Sequence, residues 1–277
     1  MQFSFNKMQG LGNDFVVVDA LDAPIALSNV QIAHIADRRL GVGCDQLLMI
    51  EPAKNGNADF LFRIFNADGS PAEQCGNGAR CVARYLHDER GFKGKDIVAE
   101  IVNDTIRMRF EEDGCIAVEM GRPRFEPADI PLKVPQRATQ YDAEIAGESV
   151  AFSALSMGNP HAVLLVEGAI ADAPVERQGP AVQQSGLFPA GVNVGFMAVR
   201  GRDKIDLRVY ERGVGETRAC GSGACAAVVA GRNLGLLDES VEVHLPGGVL
   251  NIQWSGEEGT VWMKGPATHV FQGTMTI

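Results

Sequence analysis

The sequence predicts an α+β fold: two similar, pseudo-symmetric domains, each a mixed sheet or barrel wrapped around a central helix. Three observations predict it. The first is an echo. Cys75-Gly76-Asn77-Gly78-Ala79-Arg80-Cys81 is answered by Cys220-Gly221-Ser222-Gly223-Ala224-Cys225, and each stretch opens a helix-like run. The second is spacing. Gly12-Asn13 pairs with Gly158-Asn159, Phe62-Arg63-Ile64-Phe65 with Leu207-Arg208-Val209-Tyr210, and Met120-Gly121-Arg122-Pro123 with Met263-Lys264-Gly265-Pro266. All keep one order at an offset of about 145 residues, far too long for a solenoid repeat and consistent with an internal duplication. The third is setting. Each helix lies among several strand-like runs, and the second is apolar nearly all round, as in a helix enclosed on most sides. The expected domains are 1–121, with 266–277 returning to it, and 122–265. The active site is expected in the cleft where the two helix N-termini face each other.

In order along the chain, Asp14 to Asp19 reads as a buried strand after a Gly10–Asn13 loop. Ser28 caps a helix expected from Val30 to about Arg39. The Gly-rich loop Gly41–Gln46 feeds a strand from Leu47 to Ile50. Asp59 to Asn66 alternates, with Phe60, Phe62, Ile64 and Asn66 on one face. The first Cys-Gly-x-Gly helix runs to about Asp88. Strands follow at Ile97–Ile101, Thr105–Phe110 and Cys115–Met120, the last two joined by the turn Glu111-Glu112-Asp113-Gly114. Gly121 to Gly147 is rich in proline and charge, and reads as a patternless inter-domain passage. Strands at Phe152–Met157 and His161–Val166 flank Gly158-Asn159-Pro160. A helix is expected at Val175–Gln184, then strands at Val192–Val199 and Ile205–Tyr210. The second Cys-Gly-x-Gly helix runs to about Leu234, and a strand-rich tail closes the chain.

Composition narrows the function. A chain of 277 residues, 45% hydrophobic and 22% charged, is that of an ordinary globular protein. The net charge of −10 argues against nucleic acid and anionic membranes as partners. No apolar run approaches the ~20 residues of a membrane span, and Met1–Asn6 does not open a signal peptide. The expected compartment is the cytoplasm, where the six cysteines stay reduced. The five histidines are scattered without metal-ligand spacing, so no metal is expected.

The chemistry points to the repeated cysteines. A thiol at a helix N-terminus feels the positive end of the helix dipole, which favours its thiolate. The glycines let a ligand approach the backbone, and the free N–H groups of the first turn suit a carboxylate. Two equivalent thiols on opposite sides of one carbon can remove a proton from one face and deliver one to the other, which inverts a stereocentre. An amino acid fits this best, because its labile proton sits beside a carboxylate. Cys44, Cys81, Cys115 and Cys225 read instead as structural thiols.

Gly12-Asn13-Asp14-Phe15, Gly41-Val42-Gly43-Cys44-Asp45-Gln46, Phe65-Asn66-Ala67-Asp68-Gly69-Ser70, the two Cys-Gly-x-Gly stretches, Gly158-Asn159-Pro160-His161 and Tyr210-Glu211-Arg212-Gly213 together resemble diaminopimelate epimerase. The resemblance covers nearly the whole chain. It implies a homodimeric enzyme that uses neither pyridoxal phosphate nor metal and interconverts LL- and meso-diaminopimelate on the way to lysine and peptidoglycan. It implies Cys75 and Cys220 as catalytic bases. Gly76-Asn77 and Gly221-Ser222 would hold the α-carboxylate, and Glu211 would meet the α-ammonium. Asn66, Asn159, Asn193 and Arg212 would grip the distal end, Asn13 and Gln46 would complete the pocket, and His161 with Glu211 would tune the thiols. Ser222 stands where many members have threonine, and Phe271 where some have tyrosine along the dimerisation strand. Asparagine at 77, where histidine would be expected for a proline or hydroxyproline racemase, separates the chain from that alternative. A thiol–disulfide protein or a non-catalytic amino-acid binder remains the reading from another class.

Overall fold

The computed structural model describes residues 1–54, 56–72, 75–102 and 104–277. The chain forms two compact units, Met1–Glu119 with Lys264–Ile277, and Met120–Met263.

Unit 1 begins with β1 (Gln2–Gly10), β2 (Asn13–Asp19), α1 (Asn29–Ala36), β3 (Gln46–Glu51), β4 (Phe60–Asn66), β5 (Pro71–Ala72), α2 (Gly76–Arg90), β6 (Asp96–Glu100), β7 (Thr105–Phe110) and β8 (Ile116–Glu119). Unit 2 holds β9 (Tyr141–Ile145), β10 (Glu148–Ser156), β11 (Pro160–Leu165), a short 3₁₀ turn, α3 (Val175–Gln184), β12 (Asn193–Gly201), β13 (Lys204–Glu211), β14 (Gly215–Thr217), α4 (Gly221–Asn233), β15 (Ser240–Leu245) and β16 (Gly248–Gln253). β17 (Trp262–Gly265) carries the chain back to unit 1, where β18 (Thr268–Thr276) pairs antiparallel with β1.

The duplication is visible in the ladders. In unit 1, β18–β1 and β1–β2 are antiparallel, β2–β3 parallel, β3–β4 antiparallel, β4–β6 parallel and β6–β7 antiparallel. In unit 2, β9–β10 and β10–β11 are antiparallel, β11–β12 parallel, β12–β13 antiparallel, β13–β15 parallel and β15–β16 antiparallel. Each sheet curls around its own helix. α2 packs on β1, β2, β3, β7, β8 and β18, and α4 on β10, β11, β12, β13 and β16. Strands β2 and β3 are covered on both faces, which their unbroken apolar runs anticipate. Val16, Val18, Leu47 and Met49 meet Ile32 and Ile35 of α1, while Leu48 lies beneath Gly78 of α2. Residues Gly223 to Gly231 of α4 are all buried, so alanine and glycine let the strands close on it from most sides.

Three expectations change. Helix α1 stops at Ala36 rather than near Arg39. Asp37 is extended, and its side chain accepts from the amides of Arg39 and Leu40, forming an Asx turn that competes with the helix. The passage Gly121–Gly147 is not patternless. It carries β9, joined to β10 by Ala146-Gly147, both with positive φ as a two-residue hairpin turn requires. Strand β1, which the sequence reading did not place, pairs with β18 and β2, and its Lys7 is buried in ion-pair contact with Asp14 of β2 and donates to the Gly43 carbonyl.

Candidate active site

Each cysteine is the N-cap of its helix. Cys75 is extended (φ −144°, ψ 100°) and its sulfur accepts from the amide of Gly78 at 3.3 Å. Cys220 is likewise extended (φ −111°, ψ 107°) at the start of α4. Glycines three residues on allow the fit. A Cβ on Gly78 would lie 3.1 Å from Leu48 and 3.4 Å from the Cys75 sulfur. One on Gly223 would lie 3.0 Å from Val209 and 3.2 Å from the Cys220 sulfur.

Around Cys75, Asn13 starts β2 after the tight Leu11-Gly12 turn, whose φ values are 58° and 84°. The Asn13 carbonyl oxygen lies 4.0 Å from the Cys75 sulfur and accepts from Asn77 Nδ2 at 3.3 Å. Asn13 Nδ2 donates to Asp45 at 2.8 Å. Asn77 Oδ1 accepts from Arg80, a fully buried arginine that also donates to the Pro266 carbonyl. Gln46 faces Asn66 across β3–β4 and donates to it at 3.2 Å, and Asn66 donates to Ser70. Asp14 clamps the loop behind them. Burial pushes its carboxyl up, but hydrogen bonds from Arg38 and Lys7 outweigh that and hold it well below the usual range.

Around Cys220, the sulfur lies 3.7 Å from the Ser222 hydroxyl, which accepts from Asn159 Nδ2 at 3.4 Å. Asn159 Oδ1 faces His161 Nε2 at 2.9 Å. Burial, then the charge of Arg212, pulls the His161 imidazole down to about 3, so it is neutral near pH 7. Cys220 is 4% exposed, and burial first, then the Glu211 carboxylate, pushes its thiol well above the ordinary value. Thr217 donates to that same Glu211. Asn193 accepts from the Arg212 amide at 2.9 Å, and the Arg212 guanidinium donates to the Ala190 carbonyl. Only glycine fits at 191, where φ is 75° and a Cβ would meet the Arg212 stem at 2.5 Å.

Within unit 1 the fold therefore gathers Asn13, Cys75, Gly76 and Asn77, with Gln46 paired to Asn66. Within unit 2 it gathers Asn159, His161, Cys220, Gly221 and Ser222, with Glu211 beside Cys220, and ties Arg212 to Asn193. Lys7, Asp14, Arg38, Asp45, Arg80 and Thr217 also hold these groups, though the sequence did not single them out. Asp14, Asp45 and Arg80 sit inside the motifs already quoted, and their place there was the available signal. Burial also raises the Cys44 and Cys81 thiols, to about 11 and about 12, and neither residue is the N-cap of a helix. Among the described residues, no cluster of His, Cys, Asp and Glu is arranged to hold a metal ion.

The sequence model of diaminopimelate epimerase matches residues 5–126 and 153–270, one segment for each copy of the duplicated motif. The chain belongs to the diaminopimelate epimerase family. It is thus an isomerase of the epimerase type. The diaminopimelate epimerase of Alkalilimnicola ehrlichii is 54% identical, with all of both chains covered. That of Nitrosospira multiformis is 49% identical over 100% of this chain and 99% of its own. Two solved structures share the fold at low identity. A hydroxyproline epimerase from Agrobacterium vitis has a TM-score of 0.71 at 14% identity, covering 99% of this chain and 92% of its own. A phenazine biosynthesis protein of the PhzF family from Bacillus anthracis has a TM-score of 0.66 at 15% identity, with both chains covered in full.

Proposed function

We propose that this diaminopimelate epimerase family member inverts one α-carbon of LL-diaminopimelate to give the meso isomer, and runs the reverse, with Cys75 and Cys220 as its two acid–base groups. The observation that carries the reading is the pair of cysteine N-caps, one opening the central helix of each unit. In one direction a thiolate takes the α-proton and becomes a thiol. The other thiol gives its proton to the opposite face and becomes the thiolate. The two sulfurs exchange states, and the reverse reaction restores them.

The α-proton of an amino acid is weakly acidic, so the developing enolate-like charge needs oriented donors and exclusion of water. The first-turn amides at Gly76-Asn77 and Gly221-Ser222 suit the α-carboxylate. Glu211 suits the α-ammonium, and ion pairing there would remove the carboxylate's hold on the Cys220 proton. Asn66, Asn159, Asn193 and Arg212 offer neutral donors and a planar cation for the distal amino-acid group, with Asn13 and Gln46 completing the pocket. We place the product in lysine and peptidoglycan precursor supply, and the working form as a homodimer along β18.

Purified protein, dialysed against chelator and hydroxylamine, is given LL-diaminopimelate with no added cofactor, and the isomers are separated by chiral chromatography. Appearance of the meso isomer supports the reading. Absence of turnover, or turnover restored only by pyridoxal phosphate, contradicts it.

A further inference from the structure

The two half-sites are copies, yet their key carboxamides point opposite ways. In unit 1, Asn13 turns its carbonyl oxygen toward Cys75 and Asn77 and its NH₂ away, to Asp45. In unit 2, the equivalent Asn159 turns its NH₂ toward Ser222, the counterpart of Asn77, and its oxygen away, to His161. The ladders explain the difference. Phe15 pairs with Gln46 as His161 pairs with Asn193, so Asp45 corresponds to Val192. The duplicated motif sets Arg80 against Cys225. Unit 2 therefore lacks both the carboxylate and the guanidinium.

We infer that Arg80 and Asp45 are positioning residues for the Cys75 half-site, which fix the Asn77 and Asn13 carboxamides in one orientation. An arginine only donates and an ionised aspartate only accepts. Arg80 makes Asn77 offer its oxygen on one side, at 2.9 Å, and hence its NH₂ on the other. That NH₂ requires the oxygen of Asn13, whose own NH₂ must then meet Asp45, at 2.8 Å. With both ends fixed, neither amide can flip without facing donor to donor or oxygen to oxygen. Arg38 holds Asp45 in turn, at 2.8 Å. The result is that an acceptor, not a donor, faces the Cys75 sulfur. It can accept a hydrogen bond from the S–H in the thiol state but gives none to the thiolate, to which the Gly78 amide donates. At Cys220 the Ser222 hydroxyl, having accepted from Asn159, keeps its proton free for the sulfur. The near-symmetric chemistry would thus run between two unlike thiols.

This inference rests on the two-thiol reading, and its test is a double-mutant cycle in the epimerase assay. Arg80→Gln and Asp45→Asn each place a group that both donates and accepts where a one-way group stood. Each is expected to lower kcat by about tenfold to a hundredfold, as displaced reacting groups do. The double variant is expected to be no worse than the poorer single, because either change alone frees the shared pair. Arg80→Lys, which donates only, should keep kcat closer to wild type than Arg80→Gln. Thermal melting of every variant identifies any that fails to fold, and neutron diffraction of the wild-type crystal reads the amides directly. Deuterium on Asn13 is expected toward Asp45 and none on the atom facing Cys75. Additive losses, unchanged kcat in Asp45→Asn, or a deuterated side-chain nitrogen of Asn13 facing Cys75 would overturn the assignment. A wild-type enzyme without turnover would instead strike the proposed function, leaving the diffraction result to judge the orientation alone.

Discussion

Cys220 carries a proton at neutral pH because burial and the Glu211 carboxylate both oppose its thiolate. Cys75 is only half-buried and accepts a backbone N–H. In the unliganded enzyme at pH 8, iodoacetamide should therefore label Cys75 well before Cys220, as peptide mass spectrometry can show. Glu211→Gln removes one of the two opposing causes and should speed labelling of Cys220. Equal rates for the two sulfurs, or no change in the variant, would contradict this account. His161 gives a pH signature. Its imidazole is held at about 3 in the folded protein by burial and Arg212, against about 6.5 when unfolded. The unfolded chain then binds the extra proton, so stability from this group is full above about pH 6.5 and drains away as pH falls toward 3. Chemical denaturation between pH 7 and pH 4 should show a shallower loss in His161→Gln than in wild type.

At the scale of elements, the two helix starts are packed through their glycines. Alanine in a helix is ordinarily preferred to glycine by about 1 kcal/mol. At Gly78 the added methyl would press on Leu48 and touch the Cys75 sulfur, and at Gly223 it would press on Val209 and on the Cys220 sulfur. Gly78→Ala and Gly223→Ala should remain folded by circular dichroism yet lose kcat by about tenfold or more. The central helices, the hairpin of β7 and β8 and the helix-start position of both cysteines could be read from the sequence, because each depends on a local signal: a cysteine followed by Gly-x-Gly, an alternation, a turn glycine. Strand β1 could not, because the burial of Lys7 depends on a carboxylate that only the fold brings beside it. Strand β18 leaves only a weak signal, since Val270 and Phe271 stay exposed and only Met275 packs against the core. The end of α1 hinged on one Asx turn. The orientation of the Asn13 and Asn159 amides lay beyond the sequence altogether, since it depends on what stands at each end of a hydrogen-bonded chain.

For the whole molecule, the duplication was legible in the spacing of a few motifs and recurs as the same series of parallel and antiparallel ladders in each unit. Strand β18 bears the expectation of a dimer. Val270 and Phe271 are 53% and 46% exposed, and Phe271 touches Phe5 edge-on. Sedimentation should give a homodimer for the wild type and a monomer for Phe271→Asp. A monomeric wild type would remove that proposal without touching the chemistry. The central claim is that the proton removed and the proton delivered sit on different sulfurs. The direct measurement is the reaction in heavy water, stopped early, with both isomers analysed by mass spectrometry. The account predicts deuterium at the inverted α-carbon of the product and little in the remaining substrate, because the thiol that took the proton returns it when the step reverses. Early product carrying mostly protium would mean that one base had passed the original hydrogen across, and would contradict the two-thiol account.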